Sequence, residues 1–351
     1  MISFGITGDG AFALNSPIAA ATKEASVDGT QMVLRSSVSY SAVSRSVGAG
    51  PKAFKEATKF VVENMLRSMT KKLEIMLLYG QVGYGVVSAI DITNTIVDIA
   101  EKEFAPGIWA GAEGLPVEIR NPAGNTLRGS ANVLQVDYDA KKITLDAAIA
   151  GVVANDVIWH KSSYGKEFAG LHKILSNTGT LFGISAVDYS LWKGNIKTLP
   201  ANTPLSFTRI QEAVGLATGK GLDKKVTVLV NPDSWADLMN QMETLRKFDA
   251  SYTKEKLENG AMAIKFYAQN GELEIIPSIY VKRGYAYGIC ADEFERVGSS
   301  EITFKRPGKG DEFFKELENA AGYELRSYCD MALFCYKPGI NFIIANISND
   351  A

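Results

Sequence analysis

Histidine and cysteine are scarce in this sequence, and their scarcity excludes several kinds of site. The 351 residues include two histidines, His160 and His172, so a centre built from several histidines is excluded. Each histidine stands among apolar neighbours and is interpreted as a partly buried structural residue. The three cysteines form no Cys-x-x-Cys pair, which predicts reduced thiols rather than a disulfide framework.

Long apolar runs and a strong net charge are also lacking. No stretch of about 18 apolar residues occurs, so no membrane-spanning helix is expected. The first residues, MISFGITGDGAFAL, lack the basic stretch and long apolar run of a secretory signal. Because the formal net charge is −2 at pH 7, attraction to nucleic acid would have to come from one locally basic surface. The composition, 46% hydrophobic and 22% charged, predicts a globular protein.

Motifs for nucleotide or acyl chemistry fail in their spacing. In GLATGKG (215–221), three residues separate Gly215 from Gly219, one fewer than in a phosphate loop, and Gly221 stands where Ser or Thr would bind magnesium. No Gly-x-Ser-x-Gly sequence occurs. The sequence therefore predicts no catalytic residue, no cofactor and no metal ion, and an enzyme is not expected. A catalytic site assembled only in three dimensions stays open as an alternative.

The stretch VDYDAKKITLD (136–146) groups three carboxylates around a turn, as a calcium loop would. Lys141 and Lys142 occupy places where such a loop needs ligands, and lysine cannot bind the ion. The stretch is interpreted instead as a hairpin whose turn lies at 139–141. In its strands, Leu134, Val136 and Tyr138 are expected to share one face, and Ile143 and Leu145 another.

A long amphipathic helix is predicted over residues 51–80. Pro51 suits the first turn and Gly80 the end, and some 28 residues would make a rod of about 42 Å. One apolar stripe runs along it at steps of three or four: Phe54, Ala57, Val61, Met65, Met69, Leu73 and Met76. The opposite face is basic, and a Lys59–Glu63 pair is expected there.

The remaining patterns alternate between β-prone and helical stretches. Residues 31–45 are β-prone but too poor in large apolar groups to fold without a neighbour. A second helix is predicted at 93–104, followed by four short strands, with Asn155 suited to a left-handed turn. A helix capped near Ser206 and ended by Gly219 precedes a buried strand and another helix starting near 233. Further strands end the chain.

Three stretches and their order carry a resemblance to a known family. These are GLHKILSNTGTLFGI…YSLWKGN (170–195), VTVLVNPDSWADL (226–238) and the closing GYELRSYCDMALFCYKPGINFIIANI (322–347). Together with the arm, the β-prone stretch and the long helix, they resemble a tailed-bacteriophage major capsid protein of the Hong Kong 97 type.

The resemblance implies an α+β, Hong Kong 97-like capsid fold. Its parts would be an N-terminal arm, an extension loop, a peripheral domain with the long spine helix, a β-rich subdomain, a connector, an α/β axial domain, and C-terminal strands that return to the peripheral domain. The corresponding ranges are 1–15, 16–50, 51–110, 111–164, 165–204, 205–297 and 298–351.

The same resemblance implies a function and partners. The chain would self-assemble into hexamers and pentamers of an icosahedral phage head that encloses double-stranded DNA, with scaffold, portal and decoration proteins as further partners. It would assemble in the host cytoplasm and reside in the virion, without a membrane. Candidate DNA-facing or inter-subunit charges are Arg35, Arg45, Lys55, Lys59 and Arg67. A nanocompartment shell of the encapsulin type is the alternative, and a soluble enzyme the third.

Overall fold

The computed structural model describes residues 22–39, 51–246, 264–268, 271–305, 314–318 and 322–349. The expected arm at 1–15 and Arg45 lie outside the described residues, as do the side chains of 51–58, Lys55 among them.

The described chain combines helices with three larger sheets, as the α+β prediction requires. The α-helices are α1 (Pro51–Tyr79), α2 (Pro106–Trp109), α3 (Leu171–Ser176), α4 (Phe207–Thr218) and α5 (Pro232–Arg246). The strands are β1 (Thr30–Ser39), β2 (Gly85–Ile90), β3 (Ile96–Ile99), β4 (Pro116–Arg120), β5 (Leu127–Asp137), β6 (Lys142–Leu145), β7 (Val157–His160), β8 (Thr180–Leu181), β9 (Ile184–Ser185), β10 (Asn195–Thr198), β11 (Val226–Val230), β12 (Ile264–Ala268), β13 (Gly271–Pro277), β14 (Tyr285–Ile289), β15 (Phe294–Thr303), β16 (Phe314–Glu316), β17 (Gly322–Cys335) and β18 (Phe342–Ala345).

Helix α1 is the predicted long helix, and its 29 residues span about 43 Å. Four members of the predicted stripe are buried: Met65, and also Met69, Leu73 and Met76, which belong to the larger of two hydrophobic cores. The Lys59–Glu63 pair is present, with 3.6 Å between Nζ and Oε1. The local 3.6-residue period therefore predicted both the helix and its buried face.

The end of α1 crosses the chain that precedes α3, and two glycines permit the crossing. The Gly170 N–H donates to the Gly80 carbonyl at 3.0 Å. A Cβ atom on Gly80 would lie 2.3 Å from the Phe168 carbonyl oxygen, and one on Gly170 would lie 2.5 Å from the Gly80 nitrogen. Backbone stands on both sides, so neither side can yield.

Substitution of Gly80 by alanine is expected to lower the free energy of unfolding by about 1–3 kcal/mol, because the added methyl overpacks a backbone crossing. Urea denaturation of the purified chain would measure this loss. Gly179→Ala is the matched control, since a Cβ there meets nothing within 4 Å. Equal midpoints for the two variants would contradict the crossing.

Directly after α1 the chain forms a closed six-stranded barrel in the order β2-β3-β6-β5-β4-β7. The helix predicted at 93–104 is wrong, because this stretch contains β3 and a 3-10 turn at Glu101–Glu103. Val97 and Ile99 are buried at a spacing of two, as in a half-buried strand, and Asn94 has a φ of 56°, which no helix continues through. β-branched residues favour the strand.

The hairpin predicted from VDYDAKKITLD is confirmed. The Ala140 N–H donates to the Asp137 carboxylate at 2.8 Å, and Lys141 takes a left-handed φ of 57°. Ile143 is buried beside Leu145 as predicted.

The shared face predicted for Leu134, Val136 and Tyr138 is wrong. Val136 is buried, whereas Leu134 and Tyr138 are 62% and 42% exposed. A register shift between Val133 and Gln135 separates Leu134 from Val136, because a bulge moves the following side chains to the other face. Tyr138 lies in the turn beyond Asp137, the last residue of β5. Asn155, at a φ of 72°, adopts the predicted left-handed turn.

A second sheet of six strands has the order β10-β18-β14-β11-β13-β12 and a separate core. Helices α4 and α5 belong to this part, and the Ser206 hydroxyl caps α4 by accepting from the Arg209 N–H at 3.3 Å, as predicted. The C-terminal strands divide between sheets: β18 lies between β10 and β14 here, while β17 lies in the third sheet.

The third sheet has four strands in the order β1-β17-β15, with β16 also paired to β17. Strand β1 comes from the β-prone stretch that needed a neighbour. Its partner is β17 of the same chain, in antiparallel register from Thr30↔Met331 to Ser39↔Gly322. Met32 and Leu34 pack against the larger core beneath it. Pairing with β17 thus supplies the apolar support that the stretch lacks by itself.

Candidate functional site

The described candidate charges lie in two different places. Arg35 stands on β1 and pairs with Glu324 of β17. Lys59 and Arg67 lie on the exposed face of α1, where the Lys59 side chain is 76% exposed and pairs with Glu63. The candidate charges therefore do not form one basic cluster among the described residues.

A charged triad fastens β1 to β17. Arg326 donates to the two carboxylate oxygens of Glu324, from Nε at 2.8 Å and from Nη2 at 3.0 Å, and Arg35 Nε donates to the same carboxylate. The Glu324 side chain is 4% exposed, so both guanidinium groups serve a carboxylate that water scarcely reaches. These hydrogen bonds, first from Arg326 and then from Arg35, lower the pKa of Glu324 to about 2.

The triad predicts a defined pH window for stability. Because its folded pKa is below the usual 4.5, Glu324 stabilises the fold fully above about 4.5, and this contribution is lost as the pH falls towards about 2. The melting temperature of Glu324→Gln is therefore expected to lie below that of the wild type at pH 5 and to approach it by pH 2. Differential scanning fluorimetry across this range is the measurement, and a constant gap between the two proteins would contradict the triad.

A second polar group joins the barrel side of the molecule to the six-stranded sheet; we call it the polar joint and define it as Glu103, Lys282, Tyr285, Tyr79 and His172. Lys282 Nζ donates to Glu103 Oε2 at 2.7 Å, and the Tyr285 hydroxyl donates to Glu103 Oε1 at 2.6 Å. The Lys282 N–H donates to the Tyr79 hydroxyl at 2.8 Å. The joint thus connects the end of α1, the turn after β3 and the start of β14.

Burial controls the charges of the polar joint. The Lys282 side chain is 2% exposed, and its ammonium lies 4.6 Å from the Tyr79 ring centroid. Burial alone would raise the pKa of Glu103, but the Lys282 charge and the hydrogen bonds from Lys282 and Tyr285 lower it. Burial and the Lys282 charge lower the pKa of His172 to about 4, so this ring is neutral near pH 7. The joint holds one buried ion pair and one neutral histidine.

The second histidine lies in a cluster between α1 and the barrel. Lys72 Nζ donates to the Tyr84 hydroxyl at 2.9 Å, to Glu167 Oε1 at 3.1 Å and to His160 Nδ1. Since an ammonium only donates, the His160 proton lies on Nε2. Burial, then the charges of Lys72 and Lys71, lower the pKa of His160 well below its usual value. His160, the last residue of β7, is buried and His172 is partly buried, which agrees with the predicted structural role of both.

The three cysteines and the groups of possible metal ligands bear on the predictions for the described part of the chain. Cys290, Cys329 and Cys335 are free, as predicted, and buried, and burial raises the pKa of the Cys335 thiol to about 12. Among the described residues, no group of three or more His, Cys, Asp or Glu side chains could hold a metal ion. None of the described helices combines the length and apolarity that a bilayer crossing requires.

Sequence reasoning missed the partners that complete these groups. Glu324 and Arg326 alternate on one face of β17, a signal that the period of a strand could have provided. Lys282 and Glu103 are 179 positions apart, and no local pattern marks either residue. Part of the triad could thus have been predicted from the sequence, whereas the polar joint could not.

No protein-family model matches the sequence, and no curated protein matches it either. A chain of the Cyanophage A-1(L) capsid asymmetric unit is similar in structure, with a TM-score of 0.53 and 12% identity over 99% of this chain and 85% of that chain. A chain of the satellite phage P4 procapsid gives a TM-score of 0.46 and 8% identity over 99% and 80%. A chain of an encapsulin complex from Synechococcus elongatus gives a TM-score of 0.29 and 13% identity, over 48% of this chain and 60% of that chain. The resemblance to phage capsid proteins is thus confirmed for the fold: this chain has the α+β fold seen in the Cyanophage A-1(L) capsid.

Proposed function

We propose that this chain is a major capsid protein, whose copies self-assemble into hexamers and pentamers of an icosahedral phage head around double-stranded DNA. The observation that carries the proposal is the fold similarity to the Cyanophage A-1(L) capsid chain across 99% of this chain. A shell subunit needs rigid parts at a fixed angle and surfaces that bind further copies. The α1 rod and the buried polar joint provide the first of these.

The proposal assigns a part in the shell to each region. The arm would be 1–15 and the extension loop 16–50, with the spine helix in a peripheral domain at 51–110. The β-rich subdomain would be 111–164, the connector 165–204, the axial domain 205–297, and the C-terminal strands 298–351. In this arrangement the triad of Arg35, Glu324 and Arg326 seats the described part of the extension loop on the peripheral sheet.

The role we infer is structural rather than enzymatic. Buried thiols with raised pKa values and the buried, neutral His160 support it, because neither provides an accessible nucleophile or base. Scaffold, portal and decoration proteins would complete the head, with assembly in the host cytoplasm and final residence in the virion.

Electron microscopy of the purified chain, alone and with its scaffold, tests the proposal. Closed shells or capsomers are the expected result, and a monomer under every assembly condition would contradict it. The contents of the shells separate the two candidate classes. Packaged double-stranded DNA supports a phage head, whereas a specific enzyme cargo would support a nanocompartment of the encapsulin type.

A DNA-facing role for the exposed face of α1 forms a separate part of the proposal. Lys59→Glu combined with Arg67→Glu is expected to leave shells intact and to lower the DNA content per shell. With fewer basic side chains facing the DNA, fewer counterions are released from its phosphates, and the DNA is bound less tightly. Lys161→Glu with Lys166→Glu is the matched control: these exposed lysines follow barrel strand β7, and the change in net charge is the same. Equal DNA content in both variants would refute this role.

A further inference from the structure

An open groove of about 320 Å³ lies where the connector meets the link between β17 and β18; we call it the connector groove. Its walls include two 3-10 turns, Ser190–Trp192 and Pro338–Ile340, which pack so closely that a Cβ on Gly339 would lie 2.6 Å from the Leu191 carbonyl oxygen. The Trp192 indole N–H donates to the Leu181 carbonyl at 3.3 Å and holds one wall in place. The groove is therefore preformed rather than a gap between loose loops.

The groove combines exposed apolar side chains with positive charge. Leu191, Tyr336 and Tyr189 are 61%, 53% and 45% exposed around it. Contiguous exposed apolar surface of this kind marks binding sites more often than scattered single residues do. Aromatic side chains are also enriched in the centres of protein interfaces.

Three lysines, Lys23, Lys220 and Lys337, line the groove, and none of the described lining residues is acidic. Lys337 pairs with Glu293 behind the groove at 3.6 Å, so Lys23 and Lys220 provide its net positive charge. Lys23 Nζ lies 5.6 Å from the centroid of the Tyr189 ring, and Lys220 Nζ donates to the Lys193 carbonyl at 2.9 Å. Both ammonium groups thus lie at the groove beside apolar surface, where charge acts more strongly than in open water. A segment that carries an apolar side chain and carboxylates would complement this surface.

The described stretch 314–318, which contains β16 and which we call the β16 segment, has this chemistry. Phe314 and Glu316 lie on the exposed face of β16, and Glu318 follows just beyond the strand, 83% exposed and 3.9 Å from the Lys315 ammonium. Phe314 is 36% exposed, with its ring edge-on to Tyr323 at 6.4 Å. The segment presents one aromatic ring followed by two carboxylates.

Within one chain the β16 segment cannot reach the groove. Phe314 pairs with Leu325 near the start of β17, whereas Tyr336 follows the last residue of β17, Cys335. The ten residue steps from Leu325 to Cys335 span about 33 Å of extended strand. The two complementary surfaces therefore lie at opposite ends of one rigid strand.

We propose that the connector groove binds the β16 segment of a second copy of this chain in a head-to-tail contact. Phe314 would enter beside Leu191 and Tyr336, while Glu316 and Glu318 would meet the groove lysines. Because the two surfaces differ, the contact is heterologous, and each bound copy leaves one free groove and one free segment. Such a contact closes rings or extends shells. The inference rests on the proposed function for its place in a shell, but the contact itself is testable on soluble protein.

Two variants, each with glutamine substitutions, test the two surfaces one at a time. The groove variant carries Leu191→Gln and Lys220→Gln, and the segment variant carries Phe314→Gln and Glu316→Gln. Sedimentation velocity is expected to show that each variant alone needs a protein concentration at least about tenfold higher than the wild type to self-associate. An equimolar mixture should recover a heterodimer, because the intact segment of one variant fits the intact groove of the other.

Ile92→Gln is the matched control, since Ile92 is 98% exposed on the barrel and belongs to neither surface. It should associate as the wild type does, and unchanged melting temperatures would show that all variants fold. Association of both variants at the wild-type concentration, or a mixture that stays monomeric, would overturn the contact. If both variants formed normal shells, the proposed contact would be contradicted and the proposed capsid function would stand. Head-to-tail chains from a wild type that never closes into shells would support the contact and contradict the capsid function.

Discussion

Glu103→Gln is expected to lower the free energy of unfolding by about 3–5 kcal/mol, because it leaves the buried Lys282 ammonium without its counter-charge. The Lys282 side chain is 2% exposed and that of Glu103 is 18% exposed, so water cannot replace the lost carboxylate. The glutamine can still accept from the Tyr285 hydroxyl, and the loss therefore reports on charge rather than on shape. Urea denaturation below the assembly concentration is the measurement.

Removal of both charges separates the ion pair from its surroundings. The double variant Glu103→Gln with Lys282→Met is expected to recover most of the lost stability, because it leaves no buried charge unpaired. Glu63→Gln is the control, as the Lys59–Glu63 pair is exposed and worth roughly 0.5 kcal/mol or less. A double variant that is less stable than Glu103→Gln would show that the polar joint does not depend on its charge balance.

Trp109→Ala is expected to cost about 3–5 kcal/mol, since it empties a fully buried site between α2 and the barrel. A Cβ atom built on Gly85 would lie 3.3 Å from the indole ring, so the barrel strand already packs closely against it. Little rearrangement can fill the space left by the ring.

Trp109→Phe distinguishes packing from polarity at the same site. Among the described residues, the Trp109 indole N–H is buried without a hydrogen-bond partner. Phenylalanine keeps most of the ring contacts and removes the unsatisfied donor, so its cost should be less than half that of alanine. Equilibrium unfolding of the two variants side by side is the measurement. Equal losses would show that the indole N–H is satisfied in solution.

The features that sequence predicted correctly depend on neighbours in the chain. The stripe from Met65 to Met76, the Ser206 cap and the turn at Lys141 each follow from residues a few positions apart. The error at 93–104 arose because the apolar residues Ile96, Val97, Ile99 and Ala100 fit the spacing of a helix as well as that of a strand. Only pairing of β3 with β2 and β6 decides between them.

The candidate sites depend on distant pairs, which explains why prediction was weaker there. Arg35 was chosen for its charge, but its partner Glu324 is 289 positions away. The connector groove is built from the connector, the end of α4 and the link after β17, and no single stretch of sequence shows its shape. The division of β17 and β18 between two sheets is likewise a tertiary choice.

The buried His160 and the partly buried His172 also determine how the fold responds to acid. Each is held neutral, with the pKa of His172 lowered to about 4 and that of His160 lowered well below 6.5, whereas the unfolded chain takes up protons at both near its ordinary value. Below pH 6.5 the unfolded state therefore binds more protons than the folded state, and the free energy of unfolding decreases as the pH is lowered. This loss begins well before the Glu324 carboxylate titrates. In a chain with so little histidine, two side chains account for the histidine-linked sensitivity to mild acid.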